Sequence, residues 1–122
     1  MTTRSRIQCL GLGCSLLPLL AYAQSVTPKE IQDTWVGKTI TTSTGTGRTF
    51  TMKFVADGSI SIAGDAFADT GTWRLSSDGY CVTWKQIRAG TERCFTVTRF
   101  RNGEIKVSNP DGSASGYISK IE

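Results

Sequence analysis

The chain has 122 residues, with 14 Lys and Arg against 10 Asp and Glu, four cysteines and no histidine. Without histidine it lacks an imidazole general base, a Ser-His-Asp triad and the common zinc sites. The net charge of +4 is a weak argument for binding nucleic acid.

Residues 1–23 have the layout of a secretory signal peptide. Arg4 and Arg6 precede an apolar run, and Ala21-Tyr22-Ala23 has the A-x-A form of a cleavage site. The apolar run is shorter than the ~20 residues of a membrane-spanning helix, so a short membrane anchor is the weaker alternative, as is a lipoprotein. We therefore predict a single mature domain, residues 24–122, that is periplasmic or secreted and has no stable membrane insertion after cleavage.

Cleavage would remove Cys9 and Cys14 and leave Cys81 and Cys94 in a chain of net charge +2, with 12 Lys and Arg against 10 Asp and Glu. In an oxidising compartment, two cysteines without histidine predict one disulfide. Alternation of side chains along two paired strands puts both cysteines on the face opposite Trp84, directly across from each other or one step diagonal. A redox-active or metal-binding pair is the alternative, but the C-x-x-C spacing is missing.

One short helix is predicted at the start of the mature chain. Thr27 is an N-cap residue, Pro28 suits the first helical position and Glu30 completes the pattern of a capping box. After Trp35 the helical period disappears.

The rest of the chain reads as β-strands. Four Asp-Gly or Asn-Gly turns occur at fairly regular intervals, and such turns supply the positive φ of tight hairpins. Between them apolar and polar residues alternate, as at Phe50, Met52 and Phe54, which is typical of a strand with one buried face. The pattern predicts eight strands: 36–42, 48–55, 59–63, 70–75, 80–87, 92–99, 104–108 and 114–121.

Consecutive strands joined by short turns predict an all-β, antiparallel, up-and-down meander. A twisted sheet of about eight short strands usually closes on itself, which removes its exposed edges. We therefore predict a small barrel preceded by one short helix, with a two-sheet sandwich as the alternative. The inward side chains are large: Phe50, Met52, Phe54, Trp73, Trp84, Phe95 and Val97. A barrel of this size is either filled or leaves room for one small ligand.

Several short motifs follow one another in a set order: Trp35 after the helix, Gly71-x-Trp73, Cys81-Val82-x-Trp84, Cys94-Phe95 and Asp111-Gly112-x-x-x-Gly116. This order resembles a family of small exported proteobacterial β domains of unknown function. The resemblance implies a periplasmic β domain and transfers no catalytic residue. The layout is also similar to lipocalin- and avidin-like barrels, which implies ligand binding by analogy of fold alone.

Four residues are candidates for binding a ligand: Trp73, Trp84, Gln86 and Arg93. Gln86 and Arg93 share the inward side with Trp84 near the ends of their strands, so they would orient an anionic or polar ligand at the barrel mouth. The alternative is that Arg93 covers Trp84 as a cation–π lid on a solid core. The other basic side chains of this region are interpreted as solvated surface: Lys85, Arg88, Arg99, Arg101 and Lys106.

A carboxylate pair, Asp65 and Asp69, lies between two predicted strands. It offers fewer oxygens than the six to eight that calcium takes, so we interpret it as an ordinary turn. We expect no metal, no cofactor and no catalysis.

Three hypotheses about function remain, of which an enzyme is the weakest because the chain lacks acid–base groups. The first is a binding module that holds a small, partly apolar or anionic molecule in the barrel. The second is an interaction domain with a filled core, such as an inhibitor or an accessory factor that binds another envelope protein through an apolar patch around Ala66-Phe67-Ala68.

Overall fold

The computed structural model describes residues 23–122. The predicted signal peptide therefore lies, apart from Ala23, outside the described residues, and its removal stays a prediction. The strands are β1 (Ala23–Ser25), β2 (Thr39–Ser43), β3 (Thr49–Phe54), β4 (Ser59–Gly64), β5 (Ala68–Leu75), β6 (Gly79–Trp84), β7 (Arg93–Phe100), β8 (Ile105–Ser108) and β9 (Ala114–Ile121).

The helix α1 (Pro28–Thr34) begins where the sequence predicts. The Thr27 side chain accepts a hydrogen bond from the Glu30 backbone N–H at 3.1 Å, which caps the helix. The other half of the capping box does not form, because the Glu30 carboxylate pairs with Arg99 of β7 instead. Within residues 23–122 no helix is long and apolar enough to span a membrane.

The strands β2 to β9 form a closed, antiparallel, eight-stranded barrel. Each strand pairs with the next along the chain, and β9 pairs with β2, with Ile40 opposite Ile121. The extra strand β1 pairs with the end of β7, where Ser25 lies opposite Thr98. The structure confirms the prediction of a small barrel with one short helix, and the sandwich alternative is wrong.

The hairpin of β6 and β7 places Cys81 directly opposite Cys94, and the two form a disulfide. Both cysteines lie on the face opposite Val82 and Phe95, as predicted. An ion pair accompanies the disulfide, in which Arg74 of β5 lies 2.9 Å from the Glu92 carboxylate. A Glu92 carboxylate oxygen lies within 4.8 Å of both sulfurs, but a disulfide offers no thiolate to a metal ion.

One end of the barrel is closed by the segment around α1. Ile31 and Trp35 are buried there, with 0% and 1% of their surface exposed. Trp35 packs edge-on against Phe54 and Tyr80, with ring centroids 5.6 Å apart in both pairs. This aromatic cluster packs the base of the barrel.

The other end is formed by the connections β2–β3, β4–β5, β6–β7 and β8–β9. We call this end the mouth. Its most irregular part is the connection after β6, a single 3-10 turn at Ile87–Gly90.

Candidate functional site

The barrel is hollow beneath its mouth. A cavity of about 440 Å³ is lined mainly by apolar side chains from both sides of the barrel: Phe50, Met52, Ile62, Val82, Trp84 and Phe95. A volume of this size lies in the range of pockets that hold small molecules. The large inward residues predicted from the sequence therefore do not fill the barrel, because the aromatic cluster gathers at the base.

An aromatic side chain covers part of the mouth. Phe67, in the β4–β5 connection, is 46% exposed, lines the cavity and lies 6.5 Å from the Phe50 ring. Its ring rests on Gly64, where a Cβ atom would collide with it. The glycine therefore allows Phe67 to fold over the entrance.

Two of the polar side chains in the cavity wall are buried, those of Thr42 and Tyr80. Thr42 is 2% exposed, and within residues 23–122 its hydroxyl has no hydrogen-bond partner. Tyr80 is also 2% exposed, and burial raises its pKa well above the ordinary value, opposed by the charge of Arg88. The Tyr80 phenol therefore stays protonated at neutral pH, as a neutral group in an apolar cavity.

A cation lies at the rim of the same cavity. The Arg88 guanidinium carbon is 5.7 Å from the centre of the Phe95 ring, in cation–π contact. Burial, followed by the positive charge of Arg93, lowers the pKa of Arg88, but an arginine remains charged at any physiological pH. Arg88 thus combines a fixed positive charge with a place on the cavity wall.

The backbone that carries Arg88 is unusual. Arg88 and Ala89 have φ of 56° and 52°, a left-handed conformation that is uncommon for residues other than glycine. The sequence gives no signal for it, since the only glycine of the turn is Gly90. The sequence therefore predicts Arg88 only as solvated surface; the side chain is exposed, but it also lines the cavity.

Asp69 anchors this turn from the neighbouring strand. Its Oδ2 accepts hydrogen bonds from the N–H groups of Gln86 at 3.0 Å and Ile87 at 2.9 Å. The bond from Ile87 is the largest cause that holds the pKa of this carboxyl below its usual value. Asp65, by contrast, is exposed, so the two carboxylates do different things. The role of Asp69 is to fix the start of the β6–β7 connection.

The structure separates the four predicted ligand-binding residues. Trp84 lines the cavity, whereas Trp73 lies outside it and donates its Nε1–H to the Val55 carbonyl at 2.8 Å. Gln86 is exposed and lines an outer groove beside Thr70 and Lys85.

The prediction that Arg93 faces a ligand at the barrel mouth needs a correction. Arg93 lies opposite Val82 in the register, as its parity predicts, but it is exposed and is not among the residues that line the cavity. The reason is its position as the first residue of β7, where a long side chain extends past the rim into solvent. The cation–π contact expected of Arg93 with Trp84 is made by Arg88 with Phe95 instead.

Comparisons with protein families, with curated proteins and with solved structures find no match to this chain.

Proposed function

We propose that this protein is a non-catalytic binding module that holds a small, partly apolar ligand inside its barrel, in the periplasm or outside the cell. The observation that supports this most directly is the cavity of about 440 Å³ with a mainly apolar wall. Binding of an apolar molecule in an apolar cavity that is open at one end is favourable, because the molecule displaces water from apolar surface. The disulfide is compatible with an oxidising compartment.

The test uses N-phenyl-1-naphthylamine, an uncharged aromatic probe whose fluorescence rises in apolar surroundings. We expect saturable binding of one probe per chain. Ile62→Phe should lower the affinity at least tenfold, because Ile62 lines the cavity and the larger ring occupies its space.

The matched control is Ala63→Phe, the same new side chain one residue further along β4, where Ala63 is exposed. This variant should bind the probe as the wild type does, and circular dichroism should show both variants folded. Absence of saturable binding to the wild type, or equal binding by a folded Ile62→Phe, would contradict the proposed function.

A second candidate function is docking of another envelope protein at the mouth, favoured by the 46% exposure of Phe67. Native mass spectrometry of the protein isolated from its own host separates the two. A small added mass supports the binding module, and an added polypeptide supports docking.

A further inference from the structure

The charge at the mouth is unbalanced. Among residues 23–122, ion pairs within 4 Å join Lys29, Arg74, Arg99 and Lys120 to acidic groups, and Arg88 and Arg93 are in none of these pairs. The pKa of Arg88 is lowered first by burial and then by the positive charge of Arg93, so the two arginines repel each other. The pKa of Asp111 is lowered mainly by its hydrogen bonds with Ser113, and the positive charge of Arg93 adds only the last contribution. Arg88 is thus a cation on the cavity wall that has no carboxylate partner among residues 23–122.

The backbone holds Arg88 in this place at a cost. A left-handed conformation at Arg88 and again at Ala89 is strained, and such strain persists only where the surroundings fix it. Here the surroundings include the Asp69 carboxylate, which holds the two amides directly before Arg88. An observed backbone outlier that places a charge at a cavity is a reason to ask what that charge binds.

We propose that Arg88 is an anion subsite at the mouth, and that the ligand is an amphipathic anion of the carboxylate class with its charged group at Arg88. The apolar body would lie below, among Met52, Val82 and Trp84. This inference rests on the proposed function, because it assigns a ligand class to the same cavity.

The orientation follows from the polarity of the wall. Below the rim the cavity is mainly apolar, and an ionised group buried there without a charged partner would be strongly disfavoured. At Arg88 a carboxylate gains charge-assisted hydrogen bonds from the guanidinium and keeps contact with water. The charged end therefore stays at the mouth and the apolar end enters first.

The experiment measures displacement of N-phenyl-1-naphthylamine by two probes with the same chain length, octanoate and 1-octanol. Arg88→Met removes the charge and retains an apolar side chain over Phe95. We expect this variant to bind octanoate about tenfold more weakly, with a change of less than about twofold for octanol. The matched control is Arg93→Met, the rim arginine that does not line the cavity, which should weaken octanoate binding by less than about threefold.

A measurement on the wild type does not depend on any variant folding. Raising the salt concentration should weaken octanoate binding and leave octanol binding unchanged, because only the ionic contact is screened.

Arg88→Lys should retain most of the preference for octanoate over octanol, since it keeps the charge.

The outcomes of these experiments decide whether Arg88 is an anion subsite. Selective loss of octanoate binding in Arg88→Met, with the predicted salt dependence, supports the subsite. Equal loss of both probes, no loss, or a larger effect of Arg93→Met overturns it while leaving the cavity's binding role intact. Failure of the uncharged probe to bind the wild type would instead remove the proposed function itself.

Discussion

Gly71 shows how one residue shapes the barrel wall. It lies opposite Trp84 in the register, and a Cβ atom at this position would collide with the Thr83 carbonyl oxygen. Only glycine permits such a close approach of β5 to β6. The glycine of the G-x-W pattern therefore has a structural reason, which is the close approach of the two strand backbones at this point.

The residue scale is also where sequence reasoning reached its limit. Alternation along β7 places Arg93 on the inward side, and the register confirms that placement, but alternation does not tell where a strand ends relative to the rim. Arg88 lies in a turn, where no period applies, and its left-handed backbone is fixed by a bond from a different strand. Contacts of that kind depend on tertiary structure and leave no local signal.

The tryptophans provide a prediction about stability. Trp84 is 5% exposed and Trp35 is 1% exposed, so both changes to alanine remove a buried ring. We expect Trp84→Ala to cost about 3 kcal/mol of unfolding free energy, and Trp35→Ala nearer 5, since deletion of a core aromatic costs about 3–5 kcal/mol. Trp84 should cost less because it already borders a cavity. Urea denaturation measures both, and an unchanged midpoint for Trp84→Ala would contradict its burial.

Asp69 provides a prediction about pH. Its pKa in the folded protein is lowered, mainly by the Ile87 N–H, so the ionised carboxylate stabilises the fold above the unfolded pKa of about 3.9. That contribution is lost as the pH falls through the lower folded pKa. The difference in melting temperature between the wild type and Asp69→Asn should therefore be largest near neutral pH and shrink below about pH 4. The control is Asp65→Asn, at an exposed position. A difference for Asp69→Asn that is the same at neutral and at acid pH would disprove the assignment.

At the scale of elements, the pairing of the hairpin of β6 and β7 agrees with the prediction, although β6 ends at Trp84 and not at residue 87. The sequence alternates strictly around the cysteines, so burial of the apolar face places both cysteines on the opposite face. The structure shows the direct pairing of Cys81 with Cys94 and not the diagonal one. The helix α1 was predicted in position and cap but not in the partner of Glu30. A capping box is a local pattern, and Arg99, which binds Glu30 instead, is 69 residues away in sequence.

The disulfide provides a prediction at this scale. The cysteines are 13 residues apart, and closing a loop of about 15 residues constrains the unfolded chain by about 3 kcal/mol. Replacing both cysteines by serine should therefore lower the free energy of unfolding by about 2–3 kcal/mol. A thiol reagent added to the denatured, unreduced wild type should label no cysteine of the pair. Stoichiometric labelling of both would show that the bond is absent.

At the scale of the whole molecule, the number and order of the barrel strands were predictable because nearly every connection is short and marked by a turn residue. The strand β1 was missed, since three residues (Ala23–Ser25) carry no period and pair only because β7 extends past β6. The hollow interior could not be predicted from the sequence either. Inward side chains can be named from alternation, but whether they gather at one end depends on the packing of Trp35 against Phe54 and Tyr80.

The seam between β2 and β9 has a consequence for the order of folding. It joins parts of the chain that are far apart, as in the contact of Ser119 with Thr41, 78 residues away, whereas the other barrel pairings join neighbours. Loop-closure entropy delays distant contacts, so we expect the seam to form last and to limit the folding rate. Until it forms, β2 and β9 are both free edges, and the slow step of folding is also the interval in which two chains can pair with each other.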